Sequence, residues 1–294
     1  MALLTNVLTQ VFITLIAVAG VYVLTGLTGM FSLGQAAFMA IGAYASALLV
    51  MRLHVPMVLA ILLAVILAVA VGYLIGYPVV RLRRDYISLV TLGFGESIAA
   101  LLNRMTTLTG GASGLTGVPR RVGFWTALIS AVVAIALVAF FKTSKYGRQC
   151  IALRGDELAA KAMGIDVTKI KMIAFLLSVA LTAYSGALYV FYMSYIDPTG
   201  FGWKKSADWI IMVFFGGVNS LTGSTLGAFI LSALPQVLRS LQNYRYVIYA
   251  ILVLLIINFR PSGLLGEWEL SPRGLRDLFS GAKKAADKKQ KEDQ

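Results

Sequence analysis

The sequence offers few side chains for nucleophilic or metal chemistry. His54 and Cys150 are the single histidine and the single cysteine among 294 residues, and both lie in links predicted between apolar segments. A Ser/His/Asp or Cys/His catalytic set therefore cannot be built, and the ligands of a typical metal site are missing as well. A single cysteine also excludes a disulfide within the chain. We expect no metal, no cofactor bound by this chain and no enzymatic activity.

Nucleotide hydrolysis needs a loop of the form Gly-x-x-x-x-Gly-Lys-Ser/Thr, whose backbone cradles the phosphates. No glycine in this chain is followed by a lysine, and the glycine-rich residues 110–117 lead into no such loop. Any ATP and Mg required for the activity of this chain are therefore expected to be handled by partner subunits.

Five polar residues lie in or beside apolar segments, close to glycines where a helix can be interrupted. They are Ser32, Gln35, Thr91, Glu96 and Asn219. An ionisable group near the bilayer centre costs about 2.5–3.5 kcal/mol even on lenient insertion scales, so Glu96 should face protein or water, or lie near the headgroups. These side chains either line a pathway through the membrane or satisfy backbone groups where helices break. The residue types leave both interpretations open.

A short polar segment between two apolar ones has the pattern of a capped surface helix. Its informative members are Asp156, Glu157, Ala159, Ala160, Met163 and Gly164. Asp156 is a good N-cap, Glu157 complements the helix N-terminus, and Gly164 suits a left-handed stop. The alanines leave room for close docking, and Met163 is an adaptable apolar contact. The segment is either a partner-binding helix or an ordinary loop helix.

The elements that position these residues are predicted to be membrane helices. The chain is 59% hydrophobic and only 13% charged, and about 20 apolar residues suffice for one helical crossing. The apolar segments are residues 7–27, 31–51, 57–77, 86–102, 124–141, 172–192, 209–215, 226–238 and 246–259. The short ones around residues 216–223 suggest half-helices joined at membrane depth. We predict an all-α, polytopic protein with about 8 to 10 spans, the first of them a retained helix rather than a cleaved signal.

Basic residues indicate the orientation of the chain. Of the 26 lysines and arginines, 18 fall in residues 81–84, 142–171 and 260–294. Because cytoplasmic loops carry the excess of Lys and Arg, these three segments are predicted to be cytoplasmic. The net charge of +13 does not form a stripe on a polar domain, which argues against a nucleic-acid partner. Residues 267–294 are expected to form a solvated basic tail after a membrane domain of residues 1–266.

Several motifs resemble those of the branched-chain amino-acid ABC permeases. Residues 29–38 (GMFSLGQAAF), followed by Gly42, Ala43 and Tyr44, are similar to the second-segment motif of that family. Residues 86–96, 108–115, 216–223 and 259–266 extend the likeness in the family's order. Glu157, Ala159, Ala160 and Gly164 look like the cytoplasmic Glu-Ala-Ala…Gly loop that engages the ATPase, with Leu158 interrupting the pattern.

This resemblance implies a permease fold like that of related sugar and amino-acid importers, in a bacterial inner membrane. It implies a homologous second permease subunit, two cytoplasmic ATPase subunits that dock on the segment at residues 142–171, and a periplasmic substrate-binding protein. Leucine, isoleucine and valine are the leading substrates, with urea, short amides and other amino acids as alternatives. The rival mechanism is an ion-coupled secondary transporter that uses Glu96 as its coupling carboxylate. Homodimer and heterodimer both remain open.

Overall fold

A computed structural model describes residues 2–237, 244–260, 262–266, 268 and 269, and nearly all of these residues are helical. The α-helices are α1 (Ala2–Tyr22), α2 (Gln35–Leu53), α3 (Met57–Val79), α4 (Arg84–Arg104), α5 (Thr106–Thr109), α6 (Phe124–Thr143), α7 (Lys145–Gly155), α8 (Glu157–Ala162), α9 (Val167–Met193), α10 (Trp203–Gly216), α11 (Leu221–Val237) and α12 (Tyr244–Phe259). A π-helical turn, Val23–Thr28, continues α1, and 3₁₀ turns cover Gly111–Ser113 and Pro198–Phe201. Strands β1 (Leu115–Thr116) and β2 (Tyr195–Ile196) form one antiparallel pair.

The predicted all-α membrane fold is confirmed, with a difference in the number of full spans. Within the described residues, 6 helices are long and apolar enough to cross a bilayer: α1 with its π-helical turn, α2, α3, α4, α6 and α9. Helices α10, α11 and α12 have 14, 17 and 16 residues, fewer than the roughly 20 needed for one crossing. The approximate prediction of 8 to 10 spans counted such shorter segments as crossings.

Helix α9 lies at the centre of the bundle and packs against α1, α2 and α3. Glycines allow the closest of these approaches. A β-carbon at Gly42 would overlap the backbone of Ala183, and one at Gly186 would overlap the carbonyl of Met39. Because lipid provides no hydrophobic drive between helices, such backbone contact through small residues is a main source of association.

Helix α3 has one side that is buried against the protein and an opposite side that is exposed and apolar. Its buried positions are small and recur every four residues: Ala60, Ala64, Ala68, Gly72 and Gly76. The two glycines face Val179 and Phe175 of α9, so this small-residue pair serves helix packing. The opposite side of α3 exposes apolar side chains, as an acyl-chain environment requires.

Helices α10 and α11 form a tight hairpin, as predicted from the glycines at residues 216–223. Gly217 has a φ of +122°, a conformation that only glycine adopts readily. The backbones of Gly216 and Gly223 approach so closely that a β-carbon on either would overlap the other. The sequence pattern, however, placed the start of the first helix at Trp209, whereas α10 begins at Trp203 and so includes two lysines.

We predict that Gly186→Ala destabilises the subunit, because the added β-carbon meets the Met39 backbone. Overpacking of this kind costs about 1–3 kcal/mol. Gly93→Ala is the matched control, since a β-carbon there meets nothing within 4 Å in this chain. Thermal unfolding of the detergent-solubilised subunit, followed by size-exclusion chromatography, should show a lower midpoint for Gly186→Ala alone. Equal midpoints for the two variants would contradict the packing described for α2 and α9.

Candidate functional site

Helix α8 is a single short helix with well-formed caps at both ends. The Asp156 carboxylate accepts hydrogen bonds from the amides of Leu158 and Ala159 at 2.8 and 3.0 Å. At the other end, Gly164 has a φ of +81°, and the amide of Ile165 donates to the carbonyl of Ala160 at 3.1 Å. This pairing is the Schellman motif. The local structure predicted for this segment is therefore present.

The surface that α8 exposes differs from the expected one. Ala160 is only 5% exposed and lies against the rest of the chain, whereas Leu158 and Met163 are 80% and 84% exposed. We call these two side chains the α8 apolar pair. A partner can approach Ala159 and the α8 apolar pair, but it cannot contact Ala160 in this arrangement. Leu158, which interrupts the sequence motif, is thus one of the two most exposed apolar groups of the segment.

An ion pair orients α8 on the body of the protein. The carboxylate of Glu157 lies 2.7 Å from the ammonium of Lys171, and the side chain of Lys171 is only 1% exposed. A buried ammonium that lost this partner would keep its desolvation cost without compensation. Glu157 therefore anchors α8 to α9 from within the chain, whatever it contacts in a partner.

Two arginines connect the end of α7 to neighbouring helices. Arg154 donates to the carbonyl of Gly26, in the π-helical turn, at 2.6 Å. Arg84, the first residue of α4, donates to the carbonyls of Leu153 and Arg154 at 2.5 and 2.9 Å. Gly29 lies between both side chains, and a β-carbon there would meet the Arg154 Cγ at 2.9 Å. The α7–α8 segment is thereby tied to the interrupted end of α1 and to the start of α4.

Lys142, near the end of α6, joins the same end of the bundle to the α10–α11 hairpin. Its ammonium donates to the Tyr22 hydroxyl at 3.0 Å and to the Asn219 carbonyl at 3.1 Å, and it pairs with the Glu269 carboxylate. Glu269 also accepts from the amide of Leu221, the first residue of α11, at 3.2 Å. In these bonds Asn219 takes part through its backbone; its predicted place on the pathway stays a prediction.

Residues 29–34 connect the π-helical turn to α2 without forming a helix, and they pack against α4. The Thr91 hydroxyl accepts from the amide of Leu33 at 3.2 Å. A β-carbon at Gly34 would overlap the Thr91 carbonyl, and one at Gly95 would lie 3.4 Å from the Gly34 Cα. Thr91 thus satisfies broken backbone, one of the two roles considered for it.

Ser32 and Gln35 are buried beside this break. The Gln35 Oε1 accepts from the Thr182 hydroxyl at 3.2 Å, while the amide of Ala36 donates to the Ser206 hydroxyl at 2.8 Å. Within the described part of the chain, the Ser32 hydroxyl and the Gln35 Nε2 have no hydrogen-bond partner. Buried polar groups of this kind are available to a water or a solute. The assignment of Ser32, Gln35 and Thr91 to a pathway stays a prediction.

Glu96 is exposed on α4 and faces the start of α10. Its carboxylate accepts from the amide of Trp203 at 3.2 Å and lines a cavity of about 480 Å³ with Lys205 and Asp208. A carboxylate at the N-terminus of a helix satisfies unpaired amides and complements the helix dipole. Glu96 therefore caps α10, rather than serving the backbone near Gly93 and Gly95.

The single histidine and the single cysteine lie far apart in the sequence, one at the end of α2 and the other in α7. His54 ends α2 with a φ of +50°. Cys150 is fully buried in α7, and burial raises its pKa to about 12, which keeps the thiol neutral and inert. The described residues contain no group of three potential metal ligands.

Sequence reasoning missed two groups. Leu158 was treated only as an interruption, although an apolar side chain on a capped polar segment is itself a docking signal. Lys205 was counted only as a charge, although aromatic residues surround it in sequence, among them Phe201, Trp203 and Trp209.

Comparisons with known proteins agree with this architecture. The family described as "branched-chain amino acid transport system / permease component" matches residues 3–257. The high-affinity branched-chain amino acid transport system permease protein LivM of Salmonella typhimurium is 31% identical over 88% of this chain and 69% of its own length. The probable LivM of Methanocaldococcus jannaschii is 27% identical over 65% of this chain and 62% of its own.

A second kind of permease is also similar to this chain. The LivH permease protein of the same Salmonella transport system is 27% identical over 49% of this chain and 47% of its own length. No solved structure matches the chain. The match over residues 3–257, the identity to LivM and the six membrane-spanning helices agree with one another. The chain therefore belongs to the family of permease components of branched-chain amino acid transport systems.

Proposed function

We propose that this chain is the membrane-spanning permease subunit of an ATP-driven importer of branched-chain amino acids. The family match over residues 3–257 carries the proposal. The relatives named as LivM and LivH are both permease proteins of branched-chain amino acid transport, which supports pairing with a second, homologous permease. Urea and other small amides remain the alternative substrates within the same transport mechanism.

The rival mechanism, an ion-coupled secondary transporter, has less support. It requires a carboxylate that is free to bind the coupling ion within the membrane, whereas the Glu96 carboxylate, midway along α4, already accepts a hydrogen bond from the Trp203 amide at the start of α10. Membership of an ABC permease family favours the ATP-driven mechanism instead. In that mechanism two separate ATPase subunits hydrolyse ATP, and a binding protein delivers the substrate.

The α7–α8 segment is the proposed ATPase contact. The α8 apolar pair is exposed beside Glu157 and Gly164. Exposed apolar side chains on a capped helix can bind in a groove on a partner protein. Hydrogen bonds connect this segment to the π-helical turn after α1 through Arg154 and to α4 through Arg84. These bonds connect ATPase movement to the interrupted helix, as a coupling element requires.

Helix α4 is the proposed lining of the translocation pathway, opposite the second permease. Besides exposed apolar residues such as Leu89 and Leu101, it exposes a patch formed by Gly93, Glu96, Ser97 and Ala100. Acyl chains disfavour such a polar and small-residue surface, whereas a facing helix or a water-filled path accepts it. Helix α3, by contrast, exposes almost only apolar side chains.

The proposed location is the inner membrane of a bacterium, with the α7–α8 segment and the C-terminus in the cytoplasm. Arg84, Arg154 and Lys142 come from basic segments and converge at one end of the bundle. This convergence supports a cytoplasmic assignment for that end. Of the basic tail at residues 267–294, only residues 268 and 269 are among those described.

Transport by the assembled complex should require ATP. We expect proteoliposomes that contain this chain, its permease partner and the ATPase subunits to accumulate L-leucine with ATP and the binding protein, and not with a proton or sodium gradient alone. Uptake of radiolabelled L-leucine measures this directly. Gradient-driven uptake by the permease without ATP would refute the proposal, and ATP-driven uptake of urea but not L-leucine would correct the substrate.

Charge placed on the α8 apolar pair should release the ATPase without unfolding the permease. We expect Leu158→Arg and Met163→Arg to insert normally but to lose most of the ATPase in co-purification. Asn103→Arg, at an exposed polar position of α4 outside residues 142–171, is the control for added charge. Ala160→Arg should instead lower the thermal stability of the subunit, because Ala160 is buried. Normal ATPase recovery with both α8 variants would exclude α8 as the contact.

The orientation can be tested by labelling with an impermeant maleimide. Cys150 is buried and its pKa is raised to about 12, so the native thiol should stay silent. We expect Lys204→Cys to react in intact spheroplasts and Lys145→Cys to react only after permeabilisation. Labelling of Lys145→Cys in intact spheroplasts would reverse the proposed topology.

A further inference from the structure

Three neighbouring cavities share one lysine. Lys205, in the first turn of α10, contributes to cavities of about 480, 260 and 610 Å³. The two larger ones also share Asp208, one helical turn further along. Their volumes fall in the range of roughly 300–1,000 Å³ that small-molecule sites occupy. Lys205 and Asp208 thus place one positive and one negative side chain in a space large enough for a small solute.

The ammonium of Lys205 is surrounded by aromatic rings and, among the described residues, Asp197 and Asp208 act on it only from beyond ion-pair distance. It lies 4.6 Å from the ring centroid of Phe201, 4.7 Å from that of Tyr189 and 6.0 Å from that of Trp209. Among the residues that the structure describes, it makes no hydrogen bond and no ion pair within 4 Å. Cation–π contacts stabilise such a charge only in part. The cage holds the ammonium in place and leaves its donors available.

Two carboxylates lie near Lys205, and they differ in their hydrogen bonding within the described residues. Asp197 accepts from the Gly200 amide at 3.0 Å and from the Thr199 hydroxyl, which fixes it as a turn cap. Asp208 has no hydrogen-bond or ion-pair partner among the described residues. The cavities therefore contain one ammonium and one carboxylate that do not neutralise each other directly.

The largest of these three cavities, with a volume of about 610 Å³, also has apolar side chains and further polar atoms in its lining. Trp209, Met212 and Leu231 line one part of it, while Ser232 and Tyr249 line another. The Tyr249 hydroxyl is buried and has no partner among the described residues. Small-molecule sites combine apolar walls with convergent polar groups, and this lining is rich in polar residues, since Gln10, Thr14 and Gln236 also belong to it.

We propose that this cavity binds a zwitterionic amino acid with a branched apolar side chain. The α-carboxylate pairs with the Lys205 ammonium, the α-ammonium pairs with Asp208, and the side chain packs on Trp209, Met212 and Leu231. This inference rests on the proposed function, since it names where the permease itself holds its substrate. The opposed charges select a zwitterion over a neutral amide such as urea, because urea has neither the carboxylate that pairs with Lys205 nor the ammonium that pairs with Asp208.

Direct binding to the purified permease–ATPase complex in nanodiscs, without the binding protein, tests the site. The probes are L-leucine, leucinamide, which lacks the carboxylate, and 4-methylpentanoate, which lacks the ammonium. We expect Lys205→Met, which preserves the apolar stem but removes the charge, to bind L-leucine roughly tenfold to a hundredfold more weakly. Arg104→Met, which removes an exposed charge that lines none of the three cavities, is the control and should bind like the parent.

Asp208→Asn separates the two halves of the zwitterion. It should weaken L-leucine binding while leaving 4-methylpentanoate binding unchanged, so that the preference for leucine falls. Equal binding of leucinamide and L-leucine by the parent, or an unchanged affinity in Lys205→Met, would overturn the proposal.

A second measurement does not depend on removing Lys205. Ser232→Cys places a thiol on the wall of the largest cavity, and L-leucine should slow its modification by a maleimide, whereas leucinamide should not. No protection by L-leucine up to its solubility limit would overturn the site. ATP-driven L-leucine uptake is measured in parallel: uptake that persists without protection refutes this site alone, whereas absent uptake refutes the proposed function.

Discussion

Backbone groups freed where the π-helical turn after α1 ends are largely buried and must find partners within the protein. Residues 29–34 meet this demand with side chains from elsewhere. Thr91 of α4 receives the Leu33 amide, Ser206 of α10 receives the Ala36 amide, and Arg154 of α7 reaches the Gly26 carbonyl. One interruption therefore fixes the relative positions of three other helices.

Related contacts connect the α7–α8 segment to the rest of the bundle. Helix α8 is rigid because both of its ends are capped and Glu157 pairs with the buried Lys171. From there, hydrogen bonds run through Arg84 and Arg154 to the two elements that border the break. Packing through glycine backbones, as between α2 and α9, tolerates small sliding more readily than interlocked large side chains would. The bundle thus combines a capped and ion-paired α7–α8 unit with a core packed closely through glycines.

Sequence patterns predicted the features set by local chemistry. Apolar length identified the long helices, and Asp156 and Gly164 marked the ends of α8 because caps depend on neighbouring residues only. The burial of Ala160 could not be predicted, since helical spacing does not say which side of a six-residue helix meets the rest of the protein. The start of α10 could not be predicted because Lys204 and Lys205 interrupt the apolar run. The aromatic cage of Lys205 could not be predicted either, because its rings come from separate parts of the chain.

The α8 apolar pair also has a consequence for biogenesis. A newly made subunit that has not met its partner presents Leu158 and Met163 to the aqueous phase, each more than three-quarters exposed. Chaperones and quality-control proteases recognise exposed apolar groups of this kind, and covering them hides the signal. Under the proposed ATPase contact, unassembled copies would therefore be removed in preference to assembled ones, which would match the amounts of the different subunits.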